Sequence, residues 1–202
     1  MKTAILIILL IAVAFGSAYY IFSKPAYPMT EGDAKKFFLE DLKEKYPGAD
    51  VREIIEILPQ KATDGSDYFQ LKARVTTGLN GPCPERMHIY YDYPPKNFVA
   101  QPPEYITRGC RVCIDVPVCI LAFPEDAIIA SHTYAGTEDV ANFIKQNADV
   151  TVDAQFMDEY KSYKGIWYVT WTSVSATKAY VVVLSRSDNK VLEIESVPVL
   201  TS

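Results

Sequence analysis

The chain has 202 residues, of which 49% are hydrophobic and 12% aromatic, and its formal net charge is −5. This is globular composition with room for one or two small domains, and it excludes a disordered chain. The acidic balance and the lack of a basic stripe argue against a nucleic-acid partner.

The first element in chain order is apolar. Residues 3–22 carry no charge and lie between Lys2 and Lys24. As a helix, such a run spans about 30 Å, the thickness of a hydrocarbon core. Gly16 and Ala18 can form a signal cleavage site, but the apolar run continues through Tyr19–Phe22, and two tyrosines suit an interfacial belt. We therefore expect residues 1–24 to be a transmembrane anchor, with a cleaved signal as the alternative. The rest of the chain is expected to be extracytoplasmic, on a single-pass protein of the cell membrane.

Residues 25–99 form the first expected unit. After the Pro-bearing tether 23–29, Thr30 can cap a helix reaching Tyr46, with Ala34, Phe37, Phe38, Leu42 and Tyr46 at helical spacing. Pro47 and Gly48 end it. Strand-like runs follow at 50–58, 67–77 and 86–93, divided by "ATDGSD" and "NGPCPE". Residues 100–135 are a cysteine-bearing connecting segment. Residues 136–202 repeat the first order: Thr137 can cap a helix to Asn147, and strands follow at 149–160, 165–174, 179–185 and 190–197. "ADV" occurs at 49–51 and again at 148–150. At the same offset Tyr68 matches Trp167, Phe69 matches Tyr168 and Val75 matches Val174, a pattern that suggests internal duplication. The expected fold class is α+β: a transmembrane helix, then two related units of one helix on an antiparallel meander.

A helix followed by a meander, with an aromatic "WYVTW" strand and a final "VVLSRSDNKVLEI" hairpin, resembles PepSY and cystatin-like modules over residues 30–93 and 137–197. The cystatin "QxVxG" loop is absent. The resemblance implies an extracytoplasmic, non-catalytic module that binds or restrains a partner.

The four cysteines are Cys83 and the cluster Cys110, Cys113 and Cys119 in "GCRVCIDVPVCI". Three chemistries compete. A zinc site would use the C-x2-C spacing, but the Gly-bearing knuckle turn is missing. A redox pair needs its C-x2-C at a helix N-terminus, whereas "RVCIDVPVCIL" is β-branched and reads as strand. On an extended strand Cys110 and Cys113 lie about 10 Å apart, too far to bridge each other. Cys113 and Cys119 are symmetric about Val116 and can face one another across a turn, which leaves Cys83 for Cys110. Two disulfides with that pairing are the expectation, and they suit an exported domain.

No nucleophile, zinc-protease or phosphate-loop motif is present, so we expect no catalytic residue, cofactor or metal, and a non-enzyme. Cys83 and His88 can be drawn as a nucleophile pair, but structural roles are expected for His88 and His132. The acidic residues Asp153, Asp158 and Glu159 read as solvated surface. In "GIWYVTWTSV", Trp167, Val169 and Trp171 share one strand face, where the matching residues of the first unit are polar. That face either packs on its own helix or forms an exposed strip for a protein, peptide or glycan. Tyr90 and Tyr91 raise the same choice. The expected function is a membrane-anchored binding or regulatory module. The alternatives are a subunit of a surface filament or envelope assembly, and a thiol-redox or zinc protein built on the cysteine cluster.

Overall fold

The computed structural model describes residues 30–94, 101–113, 119–188 and 190–199. In chain order the elements are α1 (Glu31–Lys45), β1 (Val51–Lys61), β2 (Asp67–Thr77), β3 (Glu85–Tyr93), β4 (Glu104–Thr107), α2 (Pro124–Thr133), α3 (Glu138–Gln146), β5 (Thr151–Tyr160), β6 (Tyr163–Thr172), β7 (Lys178–Ser185) and β8 (Val191–Pro198). They make two four-stranded antiparallel sheets, ordered β1-β2-β3-β4 and β5-β6-β7-β8.

α1 begins where its sequence provides a capping box. Asp33 N–H donates to Thr30 Oγ1 at 3.1 Å, and Asp33 Oδ2 accepts from Thr30 N–H at 3.3 Å. Ala34, Phe38 and Leu42 fall on one stripe and are buried. They pack on Leu71, Ala73 and Val75 of β2 and Met87 and Ile89 of β3. Arg52 closes the other end, donating to the carbonyls of Tyr46 and Pro47.

The second sheet buries Trp167, Val169 and Trp171 with Val182 and Leu184 on one face, under Ala127, Ile128 and Ala130 of α2 and Val140 and Phe143 of α3. Its other face shields itself. Lys161, in the β5–β6 turn, donates to Glu193 Oε1 at 2.8 Å and Glu195 Oε1 at 2.7 Å. β5 and β8 are opposite edges of the sheet, so the turn must reach across β6 and β7. Beneath it, Met157, Tyr160, Tyr163 and Tyr168 cover Ile166, Val181 and Val183.

The expected architecture needs correction. Among the described residues no helix is long and apolar enough to cross a membrane; the run at 3–22 lies outside the described residues. Among the described residues the fold is two four-stranded sheets with three short helices, in place of two one-helix repeats. The segment 100–135 supplies an element to each half, with β4 pairing to β3 and α2 entering the core of the second half. Finally, the offset that aligns Tyr68 with Trp167 aligns opposite faces. Leu71, Ala73 and Val75 face the first helix, but their counterparts Thr170, Thr172 and Val174 lie away from the tryptophan face that α2 and α3 cover. In a strand, a slip of one residue exchanges the two faces, so the ungapped match does not carry over into three dimensions.

Candidate functional site

The chemically distinctive side chains converge around α2. Residues 125–131 of this helix are all buried. A helix buried all round has no polar stripe, as expected for one packed between layers. Pro124 occupies its first turn, where a missing N–H costs nothing. Asp126 turns back and accepts from Ala122 N–H at 3.1 Å and Phe123 N–H at 3.0 Å.

The N-terminal end of α2 grips the first sheet. Glu125 Oε1 accepts from Thr76 Oγ1, and Asp126 Oδ2 accepts from Arg86 at 3.0 Å. Glu125 Oε2 lies 3.7 Å from both Arg74 and Arg86. The two guanidiniums also sit over the Phe123 ring, each 4.5 Å from its centroid. Arg74 reaches outward to Glu53 Oε2 at 3.1 Å. Two buried cations thus meet two buried carboxylates, so the formal charge of the inner cluster balances. Burial raises the Asp126 carboxyl above its ordinary value, against the pull of Arg86.

The C-terminal end of α2 carries His132. Its Nε2 donates to Pro82 O at 2.7 Å and lies 3.9 Å from Cys110 Sγ. The ring stands edge-on to Trp171, with centroids 5.5 Å apart, and Trp171 Nε1 donates to Ser131 Oγ. Burial pushes His132 below the ordinary imidazole value, offset in part by the Pro82 contact. Cys110 is bonded to Cys83, and Cys113 to Cys119, with Cα separations of 4.6 and 5.4 Å inside the usual window. This is the pairing the spacing suggests, but the described part of the expected strand, 111–113 and 119–121, is not strand. Residues 108–113 are irregular, and Cys110 and Cys113 adopt left-handed φ values of 59° and 57°. The segment 114–118, on which the proposed turn about Val116 rests, lies outside the described residues.

The remaining anticipated residues separate. Trp167, Val169 and Trp171 are core; Trp171 is fully buried and Trp167 donates to Leu121 O at 2.7 Å. They form no exposed strip, because α2 and α3 lie over them. Tyr91 also faces inward: its ring lies 4.0 Å from Phe38, and its hydroxyl donates to Asp41 at 2.9 Å. Tyr90 is on the opposite face, beside Lys72, and donates to Glu104 at 2.5 Å. That bond raises Tyr90 to about 12 and lowers Glu104. His88 faces Glu104 at 3.6 Å, while the histidine next to a cysteine is His132. Sequence reasoning missed the grouping of Cys83, Cys110 and His132, whose ligand atoms all lie within 4.8 Å of one another. Arg74, which alternates with the polar Gln70 and Lys72 along β2, is buried under α2. "PEDAIIASH" held the one available signal, two acids and a histidine bracketing an apolar tetrad.

No family model matches the chain, and no similar curated protein or solved structure was found.

Proposed function

We propose that this chain works outside the reducing cytosol as a non-enzymatic binding or regulatory module. The observation that carries this reading is the pairing of all four cysteines in two disulfides. Such bonds persist in oxidising compartments and are rare elsewhere. The inner charge cluster supports the reading from a second side, because its groups are engaged with one another in joining α2 to the first sheet.

The surface offered to a partner is the half of the first sheet's outer face that α2 leaves uncovered. Cross-strand pairing sets Lys72 beside Tyr90 and Gln70 beside Asp92, with Glu104 on the neighbouring strand. An aromatic ring flanked by both charge signs suits a protein or peptide contact. The test places a photo-crosslinking residue at Tyr90 and, in a separate sample, at Val174, which is 94% exposed. Discrete adducts in the native envelope are expected from position 90 alone. Identical adducts from both positions, or free thiols in the exported native chain, would refute the reading.

A further inference from the structure

We propose that Cys83, Cys110 and His132 form a reduction-gated site for a soft divalent cation, with zinc as its chemical type. The site is independent of the partner surface at Tyr90. Three protein ligands converge from three segments: the β2–β3 loop, the turn after β4 and the last turn of α2. Two thiolates and an imidazole are a donor set that selects zinc over hard cations, leaving the fourth position to water. The spacing fits. In tetrahedral zinc, ligand lengths of about 2.3 Å to sulfur and about 2.0–2.1 Å to nitrogen set the sulfur and nitrogen roughly 3.5 Å apart. Cys110 Sγ and His132 Nε2 already lie 3.9 Å apart. The two sulfurs must separate and the imidazole must release Pro82 O; Cys83 is exposed enough to move, while Cys110 Sγ sits beside His132 Nε2 of the helix.

The chemistry balances with a dithiol reductant. The Cys83–Cys110 bond takes two electrons and two protons from the dithiol, which becomes a disulfide. Zinc then displaces one proton from each thiol, and two protons leave to solvent. His132 shifts its proton to Nδ1 and gives up the hydrogen bond to Pro82 O, freeing Nε2 for the metal. Trp171, edge-on to the imidazole, keeps the ring plane oriented during that exchange. Reduction thus exchanges one cross-link between these segments for another.

The experiment uses the full chain carrying Cys113→Ala and Cys119→Ala, so that only the proposed thiols remain. Zinc is titrated into oxidised and phosphine-reduced samples against a chromophoric chelator. Cobalt replaces zinc in a parallel sample to report thiolate charge-transfer absorption, and far-UV circular dichroism follows the fold. The expected result is one zinc per reduced chain and none per oxidised chain. His132→Ala should weaken binding at least tenfold, and zinc should raise the melting temperature of the reduced chain. The proposal fails if the reduced chain takes no zinc, if both redox states bind equally, or if His132→Ala binds like its parent. It also fails if the reduced chain unfolds and remains unfolded with zinc bound.

Discussion

Glu125→Ala tests whether the N-terminal end of α2 is a structural clamp. Glu125 is fully buried and touches Thr76, Arg74 and Arg86 at once. Removing one partner from a buried ion pair costs about 3–5 kcal/mol, because the remaining charge stays desolvated and uncompensated. Here each arginine keeps a carboxylate: Glu53 for Arg74 and Asp126 for Arg86. That places the electrostatic loss near the lower end of the range. Thr76 also loses its acceptor inside the protein, which adds about 1 kcal/mol. We expect a total of about 3–4 kcal/mol, read from urea unfolding at constant m-value. The control is Glu53→Ala. The Glu53 side chain is 54% exposed, so water compensates for its loss and the cost stays below about 1 kcal/mol. A Glu125→Ala penalty below about 1 kcal/mol, or one equal to that of Glu53→Ala, would refute the clamp.

Two further predictions concern the disulfides and pH. The Cys83–Cys110 bond spans 27 residues and the Cys113–Cys119 bond spans 6. Loop-closure entropy gives about 3.5 kcal/mol for the first and about 2 kcal/mol for the second, so the Cys83→Ala/Cys110→Ala pair should have the lower urea midpoint. A reversed order would show that the bonds act on the native state instead. For pH, burial is the main cause holding His132 and His88 below 6.5, with Lys72 and Arg86 adding to the effect at His88 and Glu104 opposing it. A lowered folded-state value means the unfolded chain binds more protons, so this stability is complete above about pH 6.5 and is lost as pH falls through the folded values. Asp126, raised by burial, has the opposite sign: its contribution declines as pH rises from 3.8 through its folded value. Melting temperature should therefore fall on acidification below about 6.5, and His132→Gln should flatten that fall. An unchanged slope would mean that His132 titrates normally.

The readable parts of the sequence were those whose signals are local. Thr30 and Asp33 sit three residues apart and write their own cap, and the turn residues around β2 and β3 mark a meander. The unreadable parts depend on partners distant in sequence. Arg74 alternates with Lys72 and Gln70 and so resembles a solvated face; only the arrival of Glu125 and Phe123, about fifty residues later, turns it into core. α2 has no amphipathic stripe because both of its sides are covered, so the period that reveals α1 is missing. β4 has four residues behind two prolines, too few to show alternation. His132 meets Pro82 across fifty positions, a separation that local spacing cannot reveal.

The placement of α2 bears on how the two halves are held together. One end is fixed by Glu125 and Asp126, the other by His132 on Pro82, and the stretch between is packed on all sides. His132 lies seven positions after Glu125, about 10 Å along the axis, and their hydrogen-bond partners differ. If the buried middle of α2 holds the helix in place, cutting one anchor leaves the other unchanged. The effects of Glu125→Ala and His132→Ala should then add to within about 0.5 kcal/mol. If the helix were held mainly at its ends, the first cut would loosen the second anchor, and the double variant would depart from the sum by more than about 1 kcal/mol. Packing favours additivity: Ala127, Ile128, Ile129 and Ala130 are each at most 1% exposed, and their burial does not pass through either anchor. A double-mutant cycle in urea measures the coupling directly. A coupling above 1 kcal/mol would make α2 a strut sprung between its ends, and reduction of Cys83–Cys110 beside His132 would then be felt at the Glu125 clamp.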